Sequence, residues 1–211
     1  KARVGVPAEI ISGAEEAYLS FTGAVTALPH LPQPVLVMDI GGGSTELVVG
    51  SPHGTDVAIS LNIGSVRLRE SHLHSDPPST AEVATASVRI DELLDDSGID
   101  FRMAASWVGV GGTVTSLSAL AQGLHTYDRT RVHGSVLSQP ALSALTARLL
   151  AMPIAEVAAL PTMVPGRADV ICAGALICAR VGARMSRTDL TVSEADILDG
   201  IIARLATEAG M

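Results

Sequence analysis

The stretch Val35-Leu36-Val37-Met38-Asp39-Ile40-Gly41-Gly42-Gly43-Ser44-Thr45-Glu46-Leu47-Val48-Val49-Gly50 decides how the rest of the chain is read. A short apolar run ends in a carboxylate, Asp39. Three glycines follow, then Ser44, Thr45 and Glu46, then a second β-prone run. Two such runs around a glycine turn predict a hairpin. Three consecutive glycines exceed what a reversal needs. With no Cβ in the way, Gly41, Gly42 and Gly43 let backbone N–H groups approach an anion and form a nest for phosphate, with Ser44 and Thr45 beside them. Carboxylates on both sides of that nest would repel phosphate, so Asp39 and Glu46 suggest a bridging metal ion or a polarised water. The competing reading is a tight turn with solvated polar residues.

The bulk numbers narrow the class of function. A chain of 211 residues, 47% hydrophobic and 17% charged, buries a real core and is globular. Aromatics are only 2%, so the core is aliphatic and base-stacking platforms are excluded. A net charge of −8 with no basic patch excludes nucleic acid as a partner. Lys1 is the only lysine, which rules out a P-loop and a lysine Schiff base. Cys172 and Cys178 fall on one predicted helix, about 9 Å apart along its axis, and cannot pair there. Two buried thiols suit a reducing cytoplasm. The longest apolar run, residues 170–179, is too short to span a bilayer, so no membrane association is expected.

Outward from the hairpin, strands alternate with helices, which indicates an α/β domain. Residues 12–28 read as a helix opened by a Ser12–Glu15 capping box, with Ala14, Tyr18, Phe21 and Val25 as its apolar stripe. Glu16 points away from that stripe, on a face continued by Ser20 and Gly23; taken locally it is a solvated first-turn acid. A proline-rich connector, 29–34, leads to the hairpin. A strand over 56–63 and a short helix over 64–73 follow, the latter carrying Arg67, which faces either a phosphate or solvent. Residues 79–97 form a helix buried through Val83, Ala86, Ile90 and Leu93. A strand at 104–110 runs into Gly111-Gly112-Thr113 and a helix over 114–122, a second anion site of the strand, glycine turn, helix N-terminus kind. Residues 125–135 are irregular, and no Cys/His spacing fits zinc. Helices are expected over 141–150, 154–160 and 167–181, a last strand over 189–192, and a final helix over 194–209 capped by Ser193.

Several motifs in this order resemble the exopolyphosphatase/guanosine pentaphosphate phosphohydrolase (Ppx/GppA) family. They are Glu9-Ile10-Ile11-Ser12-Gly13-Ala14-Glu15-Glu16-Ala17, the 39–46 stretch, Gly64-Ser65-Val66-Arg67-Leu68, Gly109-Val110-Gly111-Gly112-Thr113, Pro165-Gly166-Arg167-Ala168-Asp169, and the 193–200 segment. The resemblance implies an α/β, actin-like or ribonuclease H-like ATPase-superfamily fold with a mixed sheet flanked by helices. It implies Mg2+-dependent removal of the terminal phosphate of inorganic polyphosphate, or of the 5′ γ-phosphate of guanosine pentaphosphate, by a full-length cytoplasmic homodimer. By position, Glu16 is then the general base and Glu46 the second catalytic carboxylate. Asp39 and Glu46 become the metal-side acids, and Gly41–Ser44 and Gly111–Thr113 the phosphate cradles. The family's first phosphate loop precedes the Glu16 helix and is absent here. Residues 1–28 are therefore expected to be a crossing strand and helix from a first domain, and 29–211 the second domain, with little turnover alone. Two other functions fit the same residues: a kinase-like phosphotransferase of the superfamily, and a domain that binds guanosine tetra- or pentaphosphate without cleaving it.

Overall fold

The computed structural model describes residues 11–51, 53–185, 189–195 and 197–208. The strand expected before Ile11, and the end of the last helix, lie outside the described residues. The predicted hairpin forms: β1 (Val35–Ile40) pairs antiparallel with β2 (Thr45–Ser51), which pairs with β3 (Gly54–Leu61). On its other side β1 runs parallel to β4 (Ser106–Val110), which runs parallel to β6 (Leu190–Val192). A short strand the sequence did not suggest, β5 (Val136–Leu137), completes one mixed sheet in the order β3-β2-β1-β4-β6-β5.

Alternation along the strands divides the core in two. Leu36, Met38, Ile40, Leu47, Val49, Trp107, Leu190 and Val192 face a large aliphatic core. That core is shared with α2 (Ser65–His72), α3 (Thr80–Asp95), α4 (Gly111–Ala121), α6 (Gln139–Ala151) and α8 (Ile171–Gly182). Short helices α5 (Arg129–Val132) and α7 (Ile154–Ala158) lie in the connections. The opposite face, through Val35, Val37, Val48, Val108 and Val110, is covered by Ala17, Phe21, Ala24 and Val25 of α1 (Gly13–Ala27).

Several expectations are corrected by packing. Tyr18 is 46% exposed rather than part of the stripe, while Ala17, Leu19, Ser20 and Ala24 are buried with Phe21 and Val25. The reason is α9 (Ile197–Glu208), which lies along α1, with Gly200 against the Leu19 backbone. A helix held between a sheet and a second helix buries a wider arc than its own stripe. In α3 the deepest residues are Ala86, Ile90 and Leu94, with Val83 and Leu93 at the margin. The helix after Pro165-Gly166 begins at Ile171, not at 167. Ser193, expected to cap the last helix, is buried, and its Oγ accepts from Ala195 N at 3.1 Å, while α9 is described from Ile197. Cys172 and Cys178 are buried free thiols, as expected, and burial pushes both up from the usual thiol range. No helix among the described residues is long and apolar enough to cross a membrane.

Candidate active site

Asp39 and Glu46 are direct cross-strand partners in the β1–β2 ladder. Opposed residues of an antiparallel pair project to the same face, so both acids stand on the α1 side of the sheet. Like charges in this position repel each other. Glu46 has a further neighbour on β3: Ser60 Oγ donates to Glu46 Oε1 at 2.7 Å.

The first glycine turn is oriented by what its carbonyls do. Gly41 O accepts from Ser65 N at 2.9 Å, and Gly42 O accepts from Val66 N at 2.9 Å and Arg67 N at 3.0 Å. These are the orphan donors of α2, whose N-cap, Gly64, has no side chain to satisfy them. A Cβ on Gly64 would lie 2.6 Å from Gly42 O, so only glycine permits this docking. The turn's N–H groups are left for other work. Gly41 N closes the turn on Ser44 O at 3.0 Å, but those of Gly42, Gly43 and Ser44 donate to no carbonyl among the described residues. Of the amides expected to meet phosphate, one is used in the turn and three are open. Arg67 stands over the turn, its Nε donating to Gly43 O at 2.8 Å. It lines a cleft of about 370 Å³ with Gly42, Gly43, Val66 and Glu70.

The second glycine turn lies one strand away. Gly111 has φ +78°, and a Cβ there would sit 2.5 Å from Asp39 Oδ1, so conformation and space both require glycine. Gly111 and Gly112 belong to the first turn of α4 rather than to a loop before it. The N-cap, Val110, offers no side-chain acceptor, so the helix presents its first N–H groups and the positive end of its dipole. A Cβ on Gly112 would fall inside the guanidinium of Arg167, which donates from NH1 to Ser116 Oγ at 2.7 Å. A cation resting on the positive end of a helix is unfavourable unless an anion joins them. The Pro165–Asp169 motif contains Arg167, but nothing in the sequence places it over Gly112.

Two expected phosphate contacts have hydroxyls committed elsewhere. Thr45 Oγ1 donates to Ile63 O at 2.7 Å and the residue is fully buried. Thr113 Oγ1 donates to Ile40 O at 3.2 Å, also buried. Both tie the turns to the sheet instead of reaching outward. Thr113 is also packed against Gly174 of α8.

Glu15 and Glu16, adjacent on α1, have different surroundings. The capping box expected at Ser12 is half made: Ser12 Oγ accepts from Glu15 N at 3.2 Å, but the Glu15 carboxylate pairs with Arg204 of α9 at 2.6 Å. Glu16 is exposed, one residue before Ala17, which packs on the face that carries Asp39 and Glu46. Beside α4 the structure also groups three residues that sequence reasoning did not connect. The Tyr127 hydroxyl donates to Glu194 Oε1, and Arg129 Nε lies 3.3 Å from Glu194 Oε2. Burial, reinforced by the Glu194 carboxylate, pushes the Tyr127 phenol up to about 12, so it remains a donor.

Comparison with known proteins bears on the family and the fold. The model of the Ppx/GppA phosphatase family matches residues 1–209. Exopolyphosphatase 2 of Mycobacterium tuberculosis is 45% identical over 208 residues, covering 96% of this chain and 65% of the relative. The crystal structure of an exopolyphosphatase-like protein superposes with a TM-score of 0.92 at 39% identity, covering 98% of this chain and 70% of that one. The Ppx/GppA protein of Aquifex aeolicus gives a TM-score of 0.92 at 28% identity, covering 100% of this chain and 68% of its own. The chain thus spans roughly two thirds of the length of these relatives, and its mixed sheet flanked by helices is the actin-like architecture expected from the sequence. With the family model matching residues 1–209 and the fold shared with these relatives, the chain belongs to the Ppx/GppA phosphatase family.

Proposed function

We propose that this chain carries the hydrolytic half-site of an exopolyphosphatase-type phosphohydrolase, which removes the terminal phosphate of inorganic polyphosphate. The observation that carries the reading is the Asp39–Glu46 pair. Two acids share one sheet face, at the ends of strands that open into turns with free amides and arginines. Cleavage of a terminal phosphoanhydride needs a water in line with the leaving oxygen, a base for its proton, and donors for charge on the non-bridging oxygens. In this reading the N–H groups of Gly42, Gly43 and Ser44 and the first turn of α4 hold the non-bridging oxygens. Arg67 and Arg167 offset their charge. Glu46 orients the water and Glu16 accepts its proton. The new P–O bond forms to the water oxygen, the bridging P–O bond breaks, and the shortened chain leaves as an anion.

Magnesium fits the acids present. It is usually held by one or two carboxylates together with substrate phosphates and waters, and Asp39 and Glu46 provide two. No cluster of three or more His, Cys, Asp or Glu exists among the described residues to hold a metal without substrate. Bound there, Mg2+ supplies charge neutralisation on the substrate oxygens. The same chemistry serves the 5′ γ-phosphate of guanosine pentaphosphate, whose terminal anhydride is equivalent. Buried free thiols suit a cytoplasmic setting.

The test is phosphate release from polyphosphate and from guanosine pentaphosphate, with Mg2+, by this chain and by the full-length protein. The Glu16→Ala variant is measured beside each. Hydrolysis lost with binding retained supports the assignment. Unchanged hydrolysis removes Glu16 from the mechanism, and binding without cleavage by the unaltered full-length protein turns the reading into that of a sensor.

A further inference from the structure

We propose that Ser60 is a positioning residue for Glu46, an inference that rests on the hydrolytic reading above. Asp39, Glu46 and Ser60 form one row across β1, β2 and β3, each the direct ladder partner of the next. All three therefore stand on the same face of the sheet. Ser60 Oγ donates to Glu46 Oε1 at 2.7 Å, a short bond to a charged acceptor. Ser60 is exposed on an edge strand, so its hydroxyl adds nothing to the core and has water available as an alternative partner. Its effect falls on the acid.

A glutamate has three side-chain torsions to fix, and Asp39 on the other side repels it. A donor from β3 takes one oxygen and draws the carboxylate toward the edge. Among the described residues Oε2 receives no hydrogen bond, so one oxygen is anchored and the other is left for a water or a metal-bound substrate.

The experiment compares Ser60→Ala and Ser60→Thr in the full-length protein, with polyphosphate and Mg2+. The proposal expects Ser60→Ala to lower kcat about tenfold, the scale of a lost hydrogen bond to a charged group, with KM and Tm unchanged. Ser60→Thr keeps the hydroxyl and should restore kcat. Crystals of Ser60→Ala should show Glu46 in several rotamers, where the parent and Ser60→Thr show one. A parent-like kcat and a single Glu46 rotamer in Ser60→Ala would overturn the proposal. Glu46→Gln separates the two levels: if it is inactive while Ser60→Ala is normal, only the role of Ser60 falls. If Glu46→Gln itself turns over normally, the assignment of Glu46 falls and Ser60 with it.

Discussion

The two glycine turns need their glycines for different reasons. In the second, the requirement is internal: a Cβ on Gly111 meets Asp39 at 2.5 Å with φ at +78°, and one on Gly112 meets Arg167. In the first, the nearest neighbours of an added Cβ are at 3.3 Å for Gly41 and Gly42 and 3.6 Å for Gly43. The protein's own packing tolerates a methyl at Gly43. At Gly41 and Gly42 a neighbour would have to give by a few tenths of an ångström, so Gly43 is the position of this turn where the fold leaves room. Gly111 is fixed by the fold, whereas in the proposed reading the room at Gly43 serves a ligand.

The sharpest break of this contrast is at the acids that link the turns. Glu46→Gln should lower kcat of the full-length protein on the order of 10²–10⁴-fold, the range for loss of an acid–base group, with Tm nearly unchanged. A drop in Tm instead would make Glu46 structural. Next comes Gly111→Ala, which places a non-glycine residue in the left-handed region against Asp39. It should cost about 1–3 kcal/mol, a fall in Tm of about 2–4 °C per kcal/mol for a chain of this size. Gly43→Ala should do the converse. Stability stays within about 0.5 kcal/mol, while isothermal titration with tripolyphosphate shows a several-fold weaker Kd. Equal behaviour of the two glycine variants would erase the distinction between the turns.

The smallest effect lies away from both turns and serves as a control. Asp91 of α3 receives Arg180 of α8 and Arg184, which follows the end of that helix. Burial raises its carboxyl, but hydrogen bonds and charge from the two arginines outweigh this and hold it below the usual carboxylate range. A group depressed in the folded state stabilises fully above its unfolded value, about 3.9. That contribution is lost as pH falls through the folded value. Asp91→Asn should therefore lose about 1–2 kcal/mol near neutral pH, and urea titrations should show the gap closing below about pH 4. Phosphate release per folded molecule should not change.

The strength of local signals explains what the sequence could and could not say. The hairpin was legible because apolar runs, glycines and acids follow one another without interruption, and the ladder pairs Asp39 with Glu46 as the turn length requires. The α4 turn was legible as strand, glycines, helix. What escaped needed a partner far along the chain. Tyr18 was misplaced because α9, some 180 residues later, sets which arc of α1 is buried. Thr45 and Thr113 carry the right chemistry for phosphate, but their hydroxyls are claimed by carbonyls of Ile63 and Ile40. Arg167 sits over Gly112 from 55 residues away, a contact made by folding alone. Glu15 makes half its capping box, its carboxylate pairing instead with Arg204 of α9, far along the chain.

The most direct test asks which amides meet the substrate. In ¹⁵N-labelled chain titrated with tripolyphosphate and Mg2+, the amide signals of Gly42, Gly43 and Ser44 should move together with those of Gly111, Gly112 and Thr113, and Glu46→Gln should leave those shifts in place. Shifts confined to surfaces away from both turns, or none at these six amides, would contradict the account.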